Sequence, residues 1–105
     1  MKIDKRKRLE KRGWRVGGVK EFLDLSDEEN EIIEVRLALA DSLRSLRQRS
    51  GISQDGLARR IGSSQSRVAK MEAGDASVSI ELLLRALLTL GATRRDLGRV
   101  IGHAA

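Results

Sequence analysis

From Ser26 to Gly91 the chain repeats one pattern: a serine able to head a helix, an amphipathic run, and a glycine able to end it. Ser26-Asp27-Glu28-Glu29 is a capping-box sequence, in which the Ser26 hydroxyl takes a first-turn N–H and Glu29 reaches back to the Ser26 N–H. The three acidic residues also suit the positive end of the helix dipole. Beyond them Ile32, Val35, Leu39, Leu43 and Leu46 recur at helical spacing on one face, and Ile33, Leu37 and Ala40 widen the stripe. This predicts a long helix with a broad buried face, ending near Arg49 before Gly51. Ser53 then heads Gln54 to Ile61, with Leu57, Ala58 and Ile61 inward, and Ser64 heads a helix that carries Val68 and Met71 inward and stops at Gly74. Ser79 heads a strongly apolar run over 80–90, closed by Gly91, and Thr93 a last one through Leu97, Val100 and Ile101. No proline interrupts any of these runs. The expectation is an all-α, compact five-helix domain.

Composition narrows the chemistry. With 105 residues there is room for one domain, and aromatics are 2% of the chain, only Trp14 and Phe22, so the rest of the core must be aliphatic. Without cysteine, disulfides and thiolate chemistry are excluded. No apolar run approaches the roughly 18 residues of a membrane span, and no hydrophobic stretch follows the charged opening MKIDKRKRLEKR. A cytoplasmic protein away from membranes is the economical expectation.

Charge falls into three blocks. Residues 1–20 hold nine Lys/Arg and two acidic residues, 21–41 one Arg against eight acidic residues, and 42–105 eleven Lys/Arg against five. The first and third blocks suit a polyanion, whereas the middle block repels one and should face elsewhere. We expect residues 1–25 to be a basic arm with a short helical lead-in and 26–105 to be the folded domain. The arm suits either a DNA backbone or minor groove, or a solubilising tail.

The stretch SQDGLARRIGSSQSRVAKMEAG, Ser53 to Gly74, resembles the helix-turn-helix of the Cro/repressor-like (XRE) family. Gln54, Leu57 and Ala58 fit its Q-x-x-L-A pattern, Gly62 falls at the tight turn, Val68 at a core position, and Met71-Glu72-Ala73-Gly74 fits its ending. A small residue at Ala58 lets the two helices cross closely, and Gly62 permits a turn that a β-carbon disfavours. Two departures are Ser63, at a turn position often apolar in the family, and Gly56, which inside a helix should cost about 1 kcal/mol relative to alanine.

The resemblance implies a DNA-binding transcription regulator whose second motif helix enters the major groove, its first residues nearest the base edges. Carried over residue by residue, Gln65, Ser66 and Lys70 are candidate base readers, and Gln54, Ser64 and Arg67 candidate phosphate contacts. It also implies a structural ion pair between Arg47 and Glu72, against the alternative of two independent surface charges. Double-stranded operator DNA and a homodimer are the implied partners. The last two helices offer apolar surface for that dimer, unless it serves only the core.

Gly13-Trp14-Arg15-Val16-Gly17-Gly18 and the run from Glu21 to Glu29 are similar to the lead-in of HigA-like antitoxins, which neutralise a RelE-like ribonuclease toxin and repress their own operon. The acidic middle block suits such a basic partner, or else folds against the basic arm. An enzyme is the weakest class. His103 is the sole histidine, and no carboxylate pair, nucleophile–base set or phosphate-cradling loop appears, so neither metal nor cofactor is expected.

Overall fold

A hydroxyl heads every helix of the described residues. The computed structural model describes residues 26–103, which form α1 (Asp27–Arg49), α2 (Gln54–Ile61), α3 (Gln65–Glu72), α4 (Ile80–Thr89) and α5 (Arg94–Gly102). Ser26, Ser53, Ser64, Ser79 and Thr93 each accept a backbone N–H from the first turn. Around Ser26 the full capping box is present, Glu29 accepting the Ser26 N–H in return. No strand occurs among the described residues, and the fold is all-α. Residues 1–25, with the expected basic arm and lead-in, lie outside them, as do Trp14 and Phe22.

α1 is the spine, packing against α3, α4 and α5, while α2 packs on α3 and α4. The core is aliphatic: Leu39 and Leu43 from α1, Leu57 and Ala58 from α2, Val68 and Met71 from α3, Val78 from the following loop, and Leu83, Ala86 and Leu87 from α4. α5 has no fully buried residue and leans on this core through half-buried Leu97 and Val100. Burying such side chains contributes roughly 1.5–3 kcal/mol each, so α2–α4 are held mainly by the core and α5 less tightly.

Two expectations about α1 change. Ile32 has the angular position of the stripe but is 48% exposed, because helical phase fixes a direction and not whether anything packs there. Asn30, Glu34 and Ala38, spaced by four, form a second buried line that apolar periodicity does not announce. Ile101, near the end of α5, is 41% exposed.

Candidate nucleic-acid interface

The turn between α2 and α3 is built from its backbone. Gly62 adopts the left-handed conformation at φ 65°, and the Ser63 N–H reaches back to the Ala58 carbonyl at 2.8 Å, which satisfies the end of α2. Ala58 is buried where the two helices meet. Ser64 then restarts the chain, its hydroxyl accepting the Arg67 N–H at 3.2 Å. α2 and α3 are thus locked as a pair, with little freedom in how α3 is presented.

α3 has two faces. Val68, Met71 and Glu72 are buried, whereas Gln65, Ser66, Arg67 and Lys70 are exposed. Ser66 and Lys70 stand one turn apart opposite the buried face, with Gln65 and Arg67 on its two edges. The candidate base readers therefore share one exposed surface at the N-terminal part of α3, and the Ser64 and Arg67 candidates flank it. Its chemistry is mixed: two positive charges, an amide that both donates and accepts, and a hydroxyl.

Behind that surface runs a polar chain. Arg47, late in α1, donates from Nε to Glu72 Oε2 at 2.5 Å and from a terminal nitrogen to Glu72 Oε1 at 3.0 Å. A further N–H goes to the Ile52 carbonyl at 2.8 Å. The Arg47 and Glu72 side chains are only 11% and 4% exposed. The hydrogen bond to Glu72 raises the Arg47 pKa above its usual value, burial working in the opposite direction. Glu72 Oε1 also accepts from Gln54 Nε2 at 3.2 Å, and Gln54 Oε1 accepts from Gln65 Nε2 at 2.6 Å. Gln54 and Gln65, read separately as a phosphate contact and a base reader, are joined. The only hint in the sequence is that glutamine opens both helices.

Gly56 also reads differently in three dimensions. A β-carbon there would lie 2.9 Å from Ile52 Cγ2 and 3.3 Å from the Ser53 hydroxyl, which accepts the Gly56 N–H. The glycine answers a close approach at the start of α2, so its helix-propensity cost is not a simple loss.

His103 is exposed beyond α5, its Nδ1 2.6 Å from the Arg99 carbonyl oxygen. Among the described residues no group of three or more His, Cys, Asp or Glu side chains is placed to hold a metal ion. No helix of the described residues is long and apolar enough to cross a membrane.

A family model described as a helix-turn-helix domain matches residues 38–100, from the middle of α1 to α5. Comparison with curated proteins and with solved structures gives no match.

Proposed function

The chain belongs to the helix-turn-helix domain family, and from that premise we propose that it is a sequence-specific DNA-binding transcription regulator acting as a homodimer on a two-fold operator. The observation that carries this reading is the exposed polar face of α3, backed by a buried apolar one and capped by Ser64. Gln65, Ser66 and Lys70 read base edges in the major groove, and Gln54, Ser64 and Arg67 hold phosphates. Gln54 has one amide N–H beyond that given to Glu72, enough for a phosphate oxygen. The test is an affinity series on a duplex selected from a random library. Arg67→Ala should weaken all duplexes alike and flatten the salt dependence, whereas Lys70→Ala should relax preference at particular base pairs. Equal behaviour of the two variants refutes the division of roles.

For the cellular role we infer the autoregulating antitoxin of a toxin–antitoxin pair, with a basic RelE-like toxin as second partner. Asp27, Glu28, Glu29 and Glu31 are exposed on the first turns of α1, within an acidic block unsuited to DNA. Of the lead-in similar to HigA-like antitoxins, residues 13–25 lie outside the described residues. Co-expression with the product of the adjacent small reading frame tests this. Growth arrest by the neighbour alone, relieved by this chain with which it co-purifies, supports the pairing; a harmless or non-binding neighbour overturns it.

A stand-alone dimeric repressor without a toxin partner is the second reading; for the dimer common to both readings, a shallow open surface along α4 lined by Glu81, Leu84, Arg85, Leu88 and Thr89 offers a contact. Leu88 is 49% exposed there, which suits a subunit contact. Equilibrium sedimentation at micromolar concentration decides the dimer, since a species at 11.6 kDa is a monomer.

A further inference from the structure

We propose that Glu72, besides pairing with Arg47, fixes which face of the Gln65 amide is offered to a base edge and so sets base preference at the position Gln65 reads. The proposal rests on the DNA-reading role given to α3 above.

Donors and acceptors fix the polarity of the chain of bonds. A carboxylate only accepts, so Gln54 must turn its Nε2 toward Glu72 Oε1. Gln54 Oε1 is then left facing Gln65, where only the Gln65 Nε2 can meet it, at 2.6 Å. One Gln65 N–H is therefore committed inward, and the Gln65 Oε1 and the other N–H remain for a ligand. An acceptor beside a donor matches adenine, whose N6 amino group donates while N7 accepts; guanine O6 and N7 both accept. A glutamine free to flip offers its N–H groups to either purine. One held by this relay favours adenine.

Glu72 can impose that polarity because it is itself immobilised. Both its oxygens receive N–H groups from Arg47, and the residue is 8% exposed, too enclosed to reach a base. It is a positioning residue acting through Gln54. The ion pair that fastens α3 to α1 thereby also sets the direction of the amide chain that ends at the exposed surface.

The test begins by sorting a random duplex library with the full chain, then measuring affinity for all four base pairs at each position of the selected site. Gln65→Ala should abolish preference at one position, which identifies the base pair that Gln65 reads. Glu72→Gln, whose amide donates as well as accepts, should lower the adenine-over-guanine ratio at that position about tenfold, leaving ratios elsewhere within about twofold. Arg47→Leu/Glu72→Met replaces the buried pair with apolar groups, a change that buried ion pairs commonly tolerate, and should give the same local loss in a folded domain. A preferred guanine at that position, an adenine preference retained in both variants, or a uniform affinity loss at every position overturns the proposal while the role of Gln65 stands. A library from which nothing is selected, or an unchanged preference in Gln65→Ala, overturns the DNA-reading assignment and the proposal with it.

Discussion

Replacing Glu72 by alanine removes the acceptor for two Arg47 N–H groups and one from Gln54. Arg47 keeps a single protein partner among these, the Ile52 carbonyl, in a pocket where its side chain is 11% exposed. An arginine cannot shed its proton, so the charge stays where water reaches it poorly. Breaking a buried pair in this way costs about 3–5 kcal/mol, and the remaining Ile52 bond and slight exposure place Glu72→Ala near the lower end, about 3 kcal/mol. Against a total stability of about 5–15 kcal/mol this is a large fraction. Urea unfolding followed by circular dichroism should show it. With a slope of about 1.5 kcal/mol per molar, the midpoint should fall by about 2 M. The companion variant Arg47→Leu/Glu72→Met should recover most of that loss, since no charge is left behind. A loss under about 0.5 kcal/mol in Glu72→Ala would mean that Arg47 and Glu72 act as independent surface charges, and the reasoning fails.

Four further substitutions follow from local geometry. Gly74 adopts φ 73°, a left-handed backbone that costs a residue with a β-carbon about 1–2 kcal/mol, while the nearby Leu37 Cδ2 is a flexible side-chain end that can move aside, so Gly74→Ala should destabilise by that amount in the same urea experiment; a neutral variant contradicts the backbone strain. Gly56→Ala should bring no stabilisation despite the better helix propensity of alanine, because the new methyl meets Ile52; a gain near 1 kcal/mol refutes this. Hydrogen bonds from the Ser77 hydroxyl and N–H lower the Asp75 pKa, and those from the Thr93 N–H and hydroxyl lower that of Asp96. Carboxyls depressed in the folded state make the unfolded chain bind more protons on acidification. Their stabilisation is therefore complete above the ordinary value of about 3.9 and is lost as pH falls through the folded values. Asp75→Asn and Asp96→Asn should each flatten the acid limb of a stability-against-pH curve, and an unchanged limb refutes the assignment.

The helices were legible because their ends are written in single residues. Ser26, Ser53, Ser64, Ser79 and Thr93 open them, and Gly62, Gly74 and Gly91 follow their ends, so boundaries shift by only a residue or two. Periodicity served less well along α1. Phase places Ile32 on the core face but carries no information on whether another element covers that position, and the buried Asn30 and Glu34 are polar residues that a hydrophobic pattern passes over. In the candidate site, the exposed positions of α3 follow from the spacing of Val68 and Met71. The bonds from Glu72 to Gln54 to Gln65 do not, because they join residues far apart in the chain whose meeting depends on how α2 crosses α3. Gly56 is similar: propensity judges it as an isolated helical residue, and only the approach of Ile52 gives it a reason.

On the reading proposed above, the exposed face of α3 is the surface that meets DNA. Titrating the 15N-labelled chain with its library-selected duplex and following backbone and glutamine side-chain amides by NMR tests it most directly. The largest shifts should fall in residues 63–70 and in the Gln54 and Gln65 side-chain amides, and should shrink when adenines in the duplex are replaced by 7-deazaadenine, which removes the major-groove N7 acceptor. Shifts concentrated on α4 and α5, or indifference to the 7-deaza replacement, would contradict it.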